Sequence, residues 1–147
     1  MAYLGHMALT RDEREQFLAE PHIGALAVDA GPDRGPLTIP IWYQYTPGGE
    51  LWVMTGATSR KAKLILAANR FSLMVERVEP TVRYVSVEGP VSRTEPGTAE
   101  LLREMCARYV APEKLEDYLA FATANHGEQI AIYLQPQRWL SADMGES

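Results

Sequence analysis

The sequence has 147 residues, with 14 basic and 19 acidic side chains that give a formal net charge of −5. A chain of this length forms one domain with an ordinary hydrophobic core, and its 46% hydrophobic and 22% charged residues are typical of a globular protein. The negative charge argues against nucleic acid and anionic membranes as partners, so a local group of cations would have to bind any anionic ligand.

A short helix is predicted near the start of the chain. The first six residues, MAYLGH, precede a second methionine and are treated as an upstream start or an added extension, within a single domain predicted for residues 1–147. Thr10 and Glu13 have the spacing of a capping box, which begins the helix. Pro21 disfavours helical geometry at Glu20, which ends it.

Three strands are predicted next. The stretch HIGALAVDA (residues 22–30) alternates in part, and LTIPIWYQY (residues 37–45) is rich in β-branched and aromatic residues. Pro40 in the second stretch places that point at a sheet edge or a bulge. The turn TPGG leads into ELWVMT (residues 50–55), so residues 37–55 are predicted to form a hairpin.

The rest of the chain continues this strand-rich pattern. The remaining predicted elements are a helix from Ser59 to about Asn69, strands at 70–78 and 82–95, two amphipathic helices that carry Leu101 to Tyr109 and Leu115 to Ala122, a strand at 128–136, and a tail at 137–147. Trp139 is the one anchor of this tail, and it lies either over a dimer seam or on the substrate side. Gly89 and Pro90 mark a bulge or bend in the longer strand. Consecutive antiparallel strands with few helices predict a mainly β fold, a small β-barrel whose ends are capped by helices.

The predicted hairpin carries the aromatic residues Trp42, Tyr43, Tyr45 and Trp52, more than one barrel interior of this size can hold. Because side chains alternate across a strand, Trp42 and Tyr43 face opposite sides of the sheet. We therefore expect one of them to face outward under a covering, which is either a partner subunit or a planar ligand.

The segment MTGATSRKAKL, residues 54–64, joins a strand to a helix with an unusual charge pattern. Ser59 is a favoured N-cap residue, but Arg60 and Lys61 place two cations at a helix end that already carries about half a positive charge. A phosphate or carboxylate bound there would accept hydrogen bonds from the backbone amides and the Ser59 hydroxyl and would neutralise the charge of both cations, so that each of these groups would contribute favourably. The alternative is that both cations extend into solvent. The spacing of a Walker loop is absent, which argues against a nucleoside triphosphatase.

The run ELWVMTGATSRKAKLILAANRFSLMVE (residues 50–76), followed by RYVSVEGPVSR (residues 83–93), resembles the pyridoxamine 5′-phosphate oxidase-like superfamily. The resemblance implies a split β-barrel with flanking helices that binds a flavin or a deazaflavin, and a homodimer with its cofactors at the subunit interface. The cofactor-binding residues that it implies are Met54 and Thr55 beside the ring and ribityl chain, Ser59, Arg60 and Lys61 around the phosphate, and Arg83 and Tyr84 reaching the half-site of the other subunit.

The sequence departs from the family's type enzyme in one strand. Ile39 and Gln44 stand near the places where that enzyme carries an Arg and a Lys for the flavin phosphate, and no basic residue occurs between Arg34 and Arg60. The C-terminal Arg-Leu-His-type substrate motif is also absent, which argues against oxidation of pyridoxamine phosphate itself. The P-I-W-Y run at residues 40–43 is instead similar to the branch that uses the deazaflavin coenzyme F420, so F420 is favoured over FMN.

The resemblance therefore implies an oxidoreductase that transfers hydride between F420 and a small organic substrate, with the ring against Trp42 or a neighbouring aromatic residue. The alternatives are an FMN-binding oxidoreductase of the same fold and a non-catalytic carrier of flavin or haem. No catalytic acid or base is assigned. Tyr43, Tyr45 and Tyr84 could donate a proton, but each is more simply a packing residue.

The other reactive residues give no sign of a second chemistry. His22 and His126 have no metal-like partner at close spacing, and Cys106 lies on an amphipathic helix as a core thiol, so no metal or nucleophilic site is expected. A single cysteine favours a reducing compartment, and no apolar run reaches the roughly 20 residues of a membrane span. We expect a cytoplasmic protein that acts on a small molecule, without nucleic acid or membrane partners.

Overall fold

The computed structural model describes residues 8–145, so the MAYLGH stretch lies outside the described residues. The helices are α1 (Arg11–Ala19), α2 (Arg60–Ala68), α3 (Ala99–Tyr109) and α4 (Leu115–Asn125), with a 3₁₀ turn at Pro112–Lys114 before α4. The strands are β1 (Gly24–Val28), β2 (Leu37–Ile41), β3 (Tyr43–Tyr45), β4 (Leu51–Gly56), β5 (Arg70–Arg77), β6 (Arg83–Pro96), β7 (Gln129–Leu134) and β8 (Arg138–Asp143). None of the helices in residues 8–145 has the length and apolar character needed to cross a membrane.

The predicted start and end of the first helix are confirmed. The Thr10 hydroxyl accepts a hydrogen bond from the Glu13 N–H (3.2 Å), and Oε1 of Glu13 accepts one from the Thr10 N–H (2.9 Å). These two bonds are the capping box. The helix ends at Ala19 because Glu20, which precedes Pro21, is extended.

The antiparallel sheet is strongly curled, because its first and last strands are consecutive in the chain. Its strands are ordered β2-β1-β5-β6-β7-β4-β3, with β8 paired to β6 beside this path. The strands β2 and β3 are separated only by Trp42, so the first and last strands of the order form one bent strand. Pro40 lies on the edge strand β2, as its missing N–H requires. The curled sheet with its flanking helices confirms the predicted mainly β split-barrel fold.

The bend predicted at Gly89 and Pro90 is present in β6. The first half of β6 pairs with β5 and β8 and the second half with β7, and the register shifts between Val91 and Arg93. At Gly89 a Cβ atom would overlap the backbone carbonyl of Gln135 in the connection between β7 and β8. Glycine is therefore required where these two backbones approach each other.

The C-terminal segment forms a strand at Arg138–Asp143, where the sequence predicts only a tail with one anchor. Strand β8 pairs with β6 from Arg83↔Asp143 to Glu88↔Arg138. Its own residues give a weak strand signal, because strand formation depends on the partner that the segment packs against. Trp139 is half-buried and packs against the barrel core. Its place over a dimer seam or on the substrate side stays a prediction.

Helices α1 and α2 close opposite ends of the barrel. Phe17 and Leu18 of α1 and Ala62 and Ile65 of α2 are buried in one core with the inward side chains of the strands. Each large apolar side chain buried there stabilises the fold by roughly 1.5–3 kcal/mol. Glu15 of α1 bonds to the turn before β4, whereas α2 begins just after β4 ends, which places the two helices at the two ends of that strand.

Helices α3 and α4 form a hairpin that packs on the outer side of the barrel. Trp42 faces outward, as one of the two predicted alternatives, since its neighbour Tyr43 is in the core. The ring of Tyr109 in α3 stacks on Trp42 at 4.7 Å, and Tyr118 in α4 lies 5.7 Å away. The chain's own helices therefore cover one face of the outward aromatic residue, through contacts too distant in sequence to be inferred locally. A partner subunit or a planar ligand against the rest of Trp42 stays a prediction.

Candidate functional site

The connection between β4 and α2 is a hydrogen-bonded corner, residues 55–61, here called the Ser59 corner. The Ser59 hydroxyl accepts a hydrogen bond from the Ala62 N–H (3.1 Å), which confirms Ser59 as the N-cap of α2. The Ser59 N–H donates to the Gly56 carbonyl (3.0 Å), and the hydroxyls of Thr55 and Ser59 lie 3.1 Å apart. These bonds fix the direction in which the first N–H groups of α2 point.

Arg60 and Lys61 begin α2 without a counter-charge. Arg60 is exposed and Lys61 is half-buried, and within residues 8–145 neither forms an ion pair with a carboxylate. The first turns of α1, α3 and α4 each carry an acidic residue, whereas the first turn of α2 carries none. The start of α2 therefore combines backbone N–H groups, a hydroxyl and two consecutive cationic residues, a combination that suits an anion.

Met54 and Trp42 lie together on the outer face of the barrel. Along β4, Val53 and Thr55 are buried and Met54 between them is half-buried and faces outward. The pairing Tyr43↔Val53, extended by one residue, sets Trp42 opposite Met54. Both residues pack against a buried outer cluster of Trp52, Met105, Ala131 and Tyr133. The strand end that leads into the Ser59 corner is therefore flanked on its outer side by Met54 and Trp42.

Two residues of α3, Arg108 and Tyr109, hold the hairpin of helices against this face, although the sequence predicts only an apolar helix position for Tyr109 and no role for Arg108. The Tyr109 hydroxyl accepts a hydrogen bond from the Tyr43 N–H (3.2 Å) and donates to the His22 carbonyl (2.8 Å). Arg108 donates to carbonyl oxygens at the end of α1, including that of Ala19 (2.7 Å). The guanidinium of Arg108 is favourable there because the C-terminal end of α1 is partly negative. The sequence shows that Arg108 lies in the last turn of a predicted helix, but it does not show that its partner is the end of α1.

Arg83 and Tyr84 lie at the start of β6, away from the Ser59 corner. The Nε of Arg83 donates to Asp143 (2.9 Å), and its guanidinium lies 5.8 Å from the ring of Phe17 in α1, at the barrel end opposite α2. Tyr84 is half-buried and pairs with Glu76 of β5. One chain therefore does not bring these two residues to the corner, and their place in the half-site of a partner subunit stays a prediction.

Asp143 is the centre of the network that holds Arg83. It accepts hydrogen bonds from the Gly145 N–H (2.9 Å) and from the Thr81 hydroxyl (2.7 Å). The Gly145 amide foremost, with Thr81 and Arg83, lowers the pKa of Asp143 to about 2. The charge of Arg83 is thus balanced inside the chain, unlike the cations of the Ser59 corner.

Two of the three tyrosines considered as proton donors are part of the core. Tyr43 is fully buried, its hydroxyl donates to the Leu18 carbonyl (2.6 Å), and burial raises its pKa well above the ordinary range. The Tyr45 hydroxyl donates to Glu15 (2.9 Å), and burial foremost raises the pKa of Tyr45 to about 12. Their interpretation as packing residues is confirmed, so a proton donor has to be sought elsewhere, with Tyr84 as the remaining tyrosine of the three.

His22 and Cys106 also have structural roles. Nε2 of His22 lies 2.9 Å from the Phe17 carbonyl, and the imidazole packs on the ring of Phe17 at 4.4 Å. Cys106 is buried, and burial raises the pKa of its thiol, which makes it a poor nucleophile. In residues 8–145 no group of three or more His, Cys, Asp and Glu side chains is arranged to hold a metal ion.

One protein-family model matches the part of the chain that contains the Ser59 corner. The family model described as pyridoxamine 5′-phosphate oxidase matches residues 10–141, from the start of α1 into β8. The chain belongs to the pyridoxamine 5′-phosphate oxidase family. No match is found among the curated proteins.

Solved structures of similar fold include a protein of hypothetical function, a reductase and a FAD and haem binding protein. The conserved hypothetical protein Rv2991 from Mycobacterium tuberculosis is 25% identical, with 94% of this chain and 87% of that chain covered and a TM-score of 0.69. An F420 reductase is 22% identical, with 86% and 94% covered and a TM-score of 0.67. A FAD and haem binding protein from Mycobacterium smegmatis is 15% identical, with 97% and 74% covered and a TM-score of 0.63. The last two likenesses establish the fold alone.

This member of the pyridoxamine 5′-phosphate oxidase family has no cation on β2 or β3. Ile39 packs against the barrel core. The side-chain oxygen of Gln44 accepts hydrogen bonds from Nη1 of Arg108 (3.0 Å) and from the Tyr45 N–H (3.0 Å), so it helps to hold α3. Ile39 and Gln44, which the resemblance sets near the Arg and the Lys of the family's type enzyme, therefore have structural roles here.

Proposed function

We propose that this chain is an oxidoreductase that binds the deazaflavin coenzyme F420, with the phosphate of the cofactor at the Ser59 corner. The observation that carries the proposal is the pair Arg60 and Lys61, which has no carboxylate partner in residues 8–145 and begins a helix capped by Ser59. A charge-assisted hydrogen bond to a phosphate contributes about 1.5–3 kcal/mol. The family model spans this corner, which supports the same location for the anion.

The preference for F420 over FMN rests on the strand before the corner. Solved proteins of this fold include an F420 reductase and a FAD and haem binding protein, so the fold is compatible with more than one ring system. In this chain Ile39 and Gln44 supply neither of the cations that the family's type enzyme uses for the FMN phosphate. The P-I-W-Y run at residues 40–43 is similar to the F420 branch. FMN remains the alternative cofactor.

The residues of the chain would bind and orient the cofactor, which itself supplies the hydride chemistry when bound. Ser59, Arg60 and Lys61 would hold the phosphate. Met54 and Thr55 lie near the end of the strand against which the resemblance places the ring and ribityl chain, and Trp42 lies beside Met54 on the outer side of that strand. Residues of α3 pack on the outer side of this strand and exclude water from it.

We also propose that the protein is a homodimer that pairs through the outer side of β2, β1, β5, β6 and β8, here called the five-strand face. The strand registers align Pro40, Ala25, Met74, Ser86 and Leu140 in one row across these strands. Leu140 is 65% exposed in the single chain, and the helices α3 and α4 pack on the other side of the barrel. A second copy that covers this row would also cover the neighbouring Tyr84, in line with the role across the interface that the resemblance implies.

Titration of the purified protein with F420 and, separately, with FMN tests the proposal. We expect the fluorescence of F420 to be quenched at lower ligand concentration than that of FMN, and oxidation of reduced F420 when an enone or quinone substrate is added. A yellow protein with a flavin band would favour the FMN alternative, and a Soret band would favour a haem carrier. A protein that binds neither ring would overturn the proposal.

A further inference from the structure

A polar cavity lies at the end of β4 opposite the Ser59 corner. It has a volume of about 200 Å³ and lies between α1, the turn that joins β3 to β4, and the connection between β7 and β8. The side chains that matter to its chemistry are Arg11, Arg14, Glu15, Tyr45 and Trp139, and we call it the Arg14 cavity. The six residues of β4 separate it from the Ser59 corner by about 17–20 Å.

The charges that line this cavity do not balance. Among the described residues that line the cavity, Glu15 is the single carboxylate. Its oxygens accept hydrogen bonds from Nε of Arg11 (3.0 Å), from the Tyr45 hydroxyl (2.9 Å) and from the Gly48 N–H (2.5 Å). Those donors keep Glu15 ionised, since the Arg11 bond foremost lowers its pKa. Two guanidinium groups face one carboxylate that is already bonded, so Arg14 is left with an uncompensated positive charge.

One hydrogen-bond donor of Arg14, its Nε–H group, also has no acceptor among the described residues. This nitrogen is buried. The guanidinium lies over the ring of Trp139, with its central carbon 4.6 Å from the ring centroid. Trp139 is fixed in turn by the core and by the edge of the Tyr45 ring at 6.1 Å. A buried, charged donor of this kind calls for a water molecule or an anion as its acceptor.

We propose that the Arg14 cavity binds a small molecule through its carboxylate, which pairs with the edge of the Arg14 guanidinium. Trp139 covers one face of the guanidinium, and we expect a carboxylate at its edge, where the N–H groups lie in one plane. Two coplanar carboxylate oxygens match that edge with paired hydrogen bonds. The ring of Trp139 and the aliphatic stem of Arg14 would line the apolar side of the ligand. This site is independent of the proposed cofactor site.

Benzoate and its neutral analogue benzamide are suitable probes. Calorimetric titration and thermal unfolding of the full chain are expected to show binding and stabilisation by benzoate, weaker effects of acetate, and none of benzamide. Absence of benzoate binding would mean that water alone satisfies Arg14, and would overturn the proposal. Tighter binding of inorganic phosphate than of benzoate, if lost with Arg14, would overturn the assignment to carboxylates.

Variants locate the bound probe. Arg14→Met keeps an unbranched apolar stem and is expected to weaken benzoate binding about tenfold or more, since a charge-assisted pair is lost. The melting temperature of this variant without ligand should be unchanged or higher, because a buried donor without an acceptor is removed. Lys61→Ala should bind benzoate as the wild type does, which separates this site from the Ser59 corner. Equal benzoate binding by Arg14→Met would overturn the proposal.

If Arg14→Met does not fold, Arg14→Lys provides the second test. Lysine keeps the positive charge but presents no coplanar pair of N–H groups. Benzoate binding should therefore weaken while binding of inorganic phosphate changes less. Benzoate binding as tight as that of the wild type would contradict the paired geometry.

Discussion

The hydroxyl groups of Thr55 and Ser59 lie 3.1 Å apart, so the last inward residue of β4 is joined directly to the N-cap of α2. Thr55 is 6% exposed, and Ser59 also accepts the Ala62 N–H (3.1 Å). The angle between strand and helix is therefore set by short-range bonds that do not involve Arg60 or Lys61. The bonds that set this angle therefore leave the side chains of Arg60 and Lys61 available to a ligand.

The first prediction concerns Lys61. Lys61→Ala should weaken binding of F420 by about 1.5–3 kcal/mol, the contribution of a charge-assisted hydrogen bond. Lys63→Ala is the matched control, since Lys63 is exposed two residues further along the same helix and should matter much less. Fluorescence titration of the two variants side by side measures the difference, and equal affinities would contradict the anion site.

Lys61→Ala, which should weaken cofactor binding, should not weaken the stability of the protein without ligand. A cation in the first turn of a helix is unfavourable by roughly 0.3–1 kcal/mol, so Lys61→Ala should leave the free energy of unfolding unchanged or slightly higher. Urea denaturation without cofactor measures this. A clear loss of stability would show that Lys61 has a structural role, which the absence of an ion pair in residues 8–145 argues against.

The second prediction separates the two roles of Ser59. Ser59→Ala removes the hydroxyl that accepts the Ala62 N–H and should cost about 1 kcal/mol of stability. Ser59→Asp keeps a good N-cap and suits the helix dipole, so it should fold at least as well as Ser59→Ala. Its carboxylate would nevertheless repel the phosphate, so cofactor binding should be lost while stability is kept. Tight binding by Ser59→Asp would place the phosphate elsewhere.

The Ser59 corner could be predicted from sequence because its signals are local. The N-cap and both cations are consecutive residues, and helix capping and charge at a helix end act within one turn. The fold class followed likewise from the alternation of short strands. Strand β8 and the stacking of Tyr109 on Trp42 could not be predicted, since each depends on a partner far along the chain. Arg83 was predicted as a ligand residue, but its ion pair with Asp143 is visible only in three dimensions.

The third prediction concerns the attachment of α3. Arg108 bonds to carbonyl oxygens at the end of α1, so Arg108→Met should lower the free energy of unfolding by about 1.5–3 kcal/mol. Arg103→Met on the same helix is the control, because Arg103 pairs with Glu116 in solvent and should change stability little. Chemical denaturation of both variants gives the comparison. Equal stabilities would contradict the role assigned to Arg108.

The fourth prediction is a dependence of stability on acid pH. The folded-state pKa of Asp143, about 2, lies below its ordinary value of 3.8, so the folded protein binds this proton more weakly than the unfolded chain. The stabilisation is therefore fully present above about pH 4 and is lost as the pH falls towards 2. The stability difference between wild type and Asp143→Asn should shrink over that range. Asp33→Asn in an exposed turn is the control, and a pH-independent difference for Asp143→Asn would contradict the linkage.

The last prediction tests the five-strand face. Leu140 is 65% exposed there and Phe121 is 59% exposed on α4, so the two residues are similar in exposure but lie on different sides of the barrel. If a second copy covers Leu140, then Leu140→Lys buries a charge at the interface and should give a monomer of about 16.4 kDa in sedimentation, whereas Phe121→Lys should leave the dimer intact. If the cofactor site is shared between subunits, Leu140→Lys should also weaken cofactor binding, whereas Phe121→Lys should not. A wild-type monomer at micromolar concentration would exclude the shared site, and Arg83 and Tyr84 would then have no cofactor to reach.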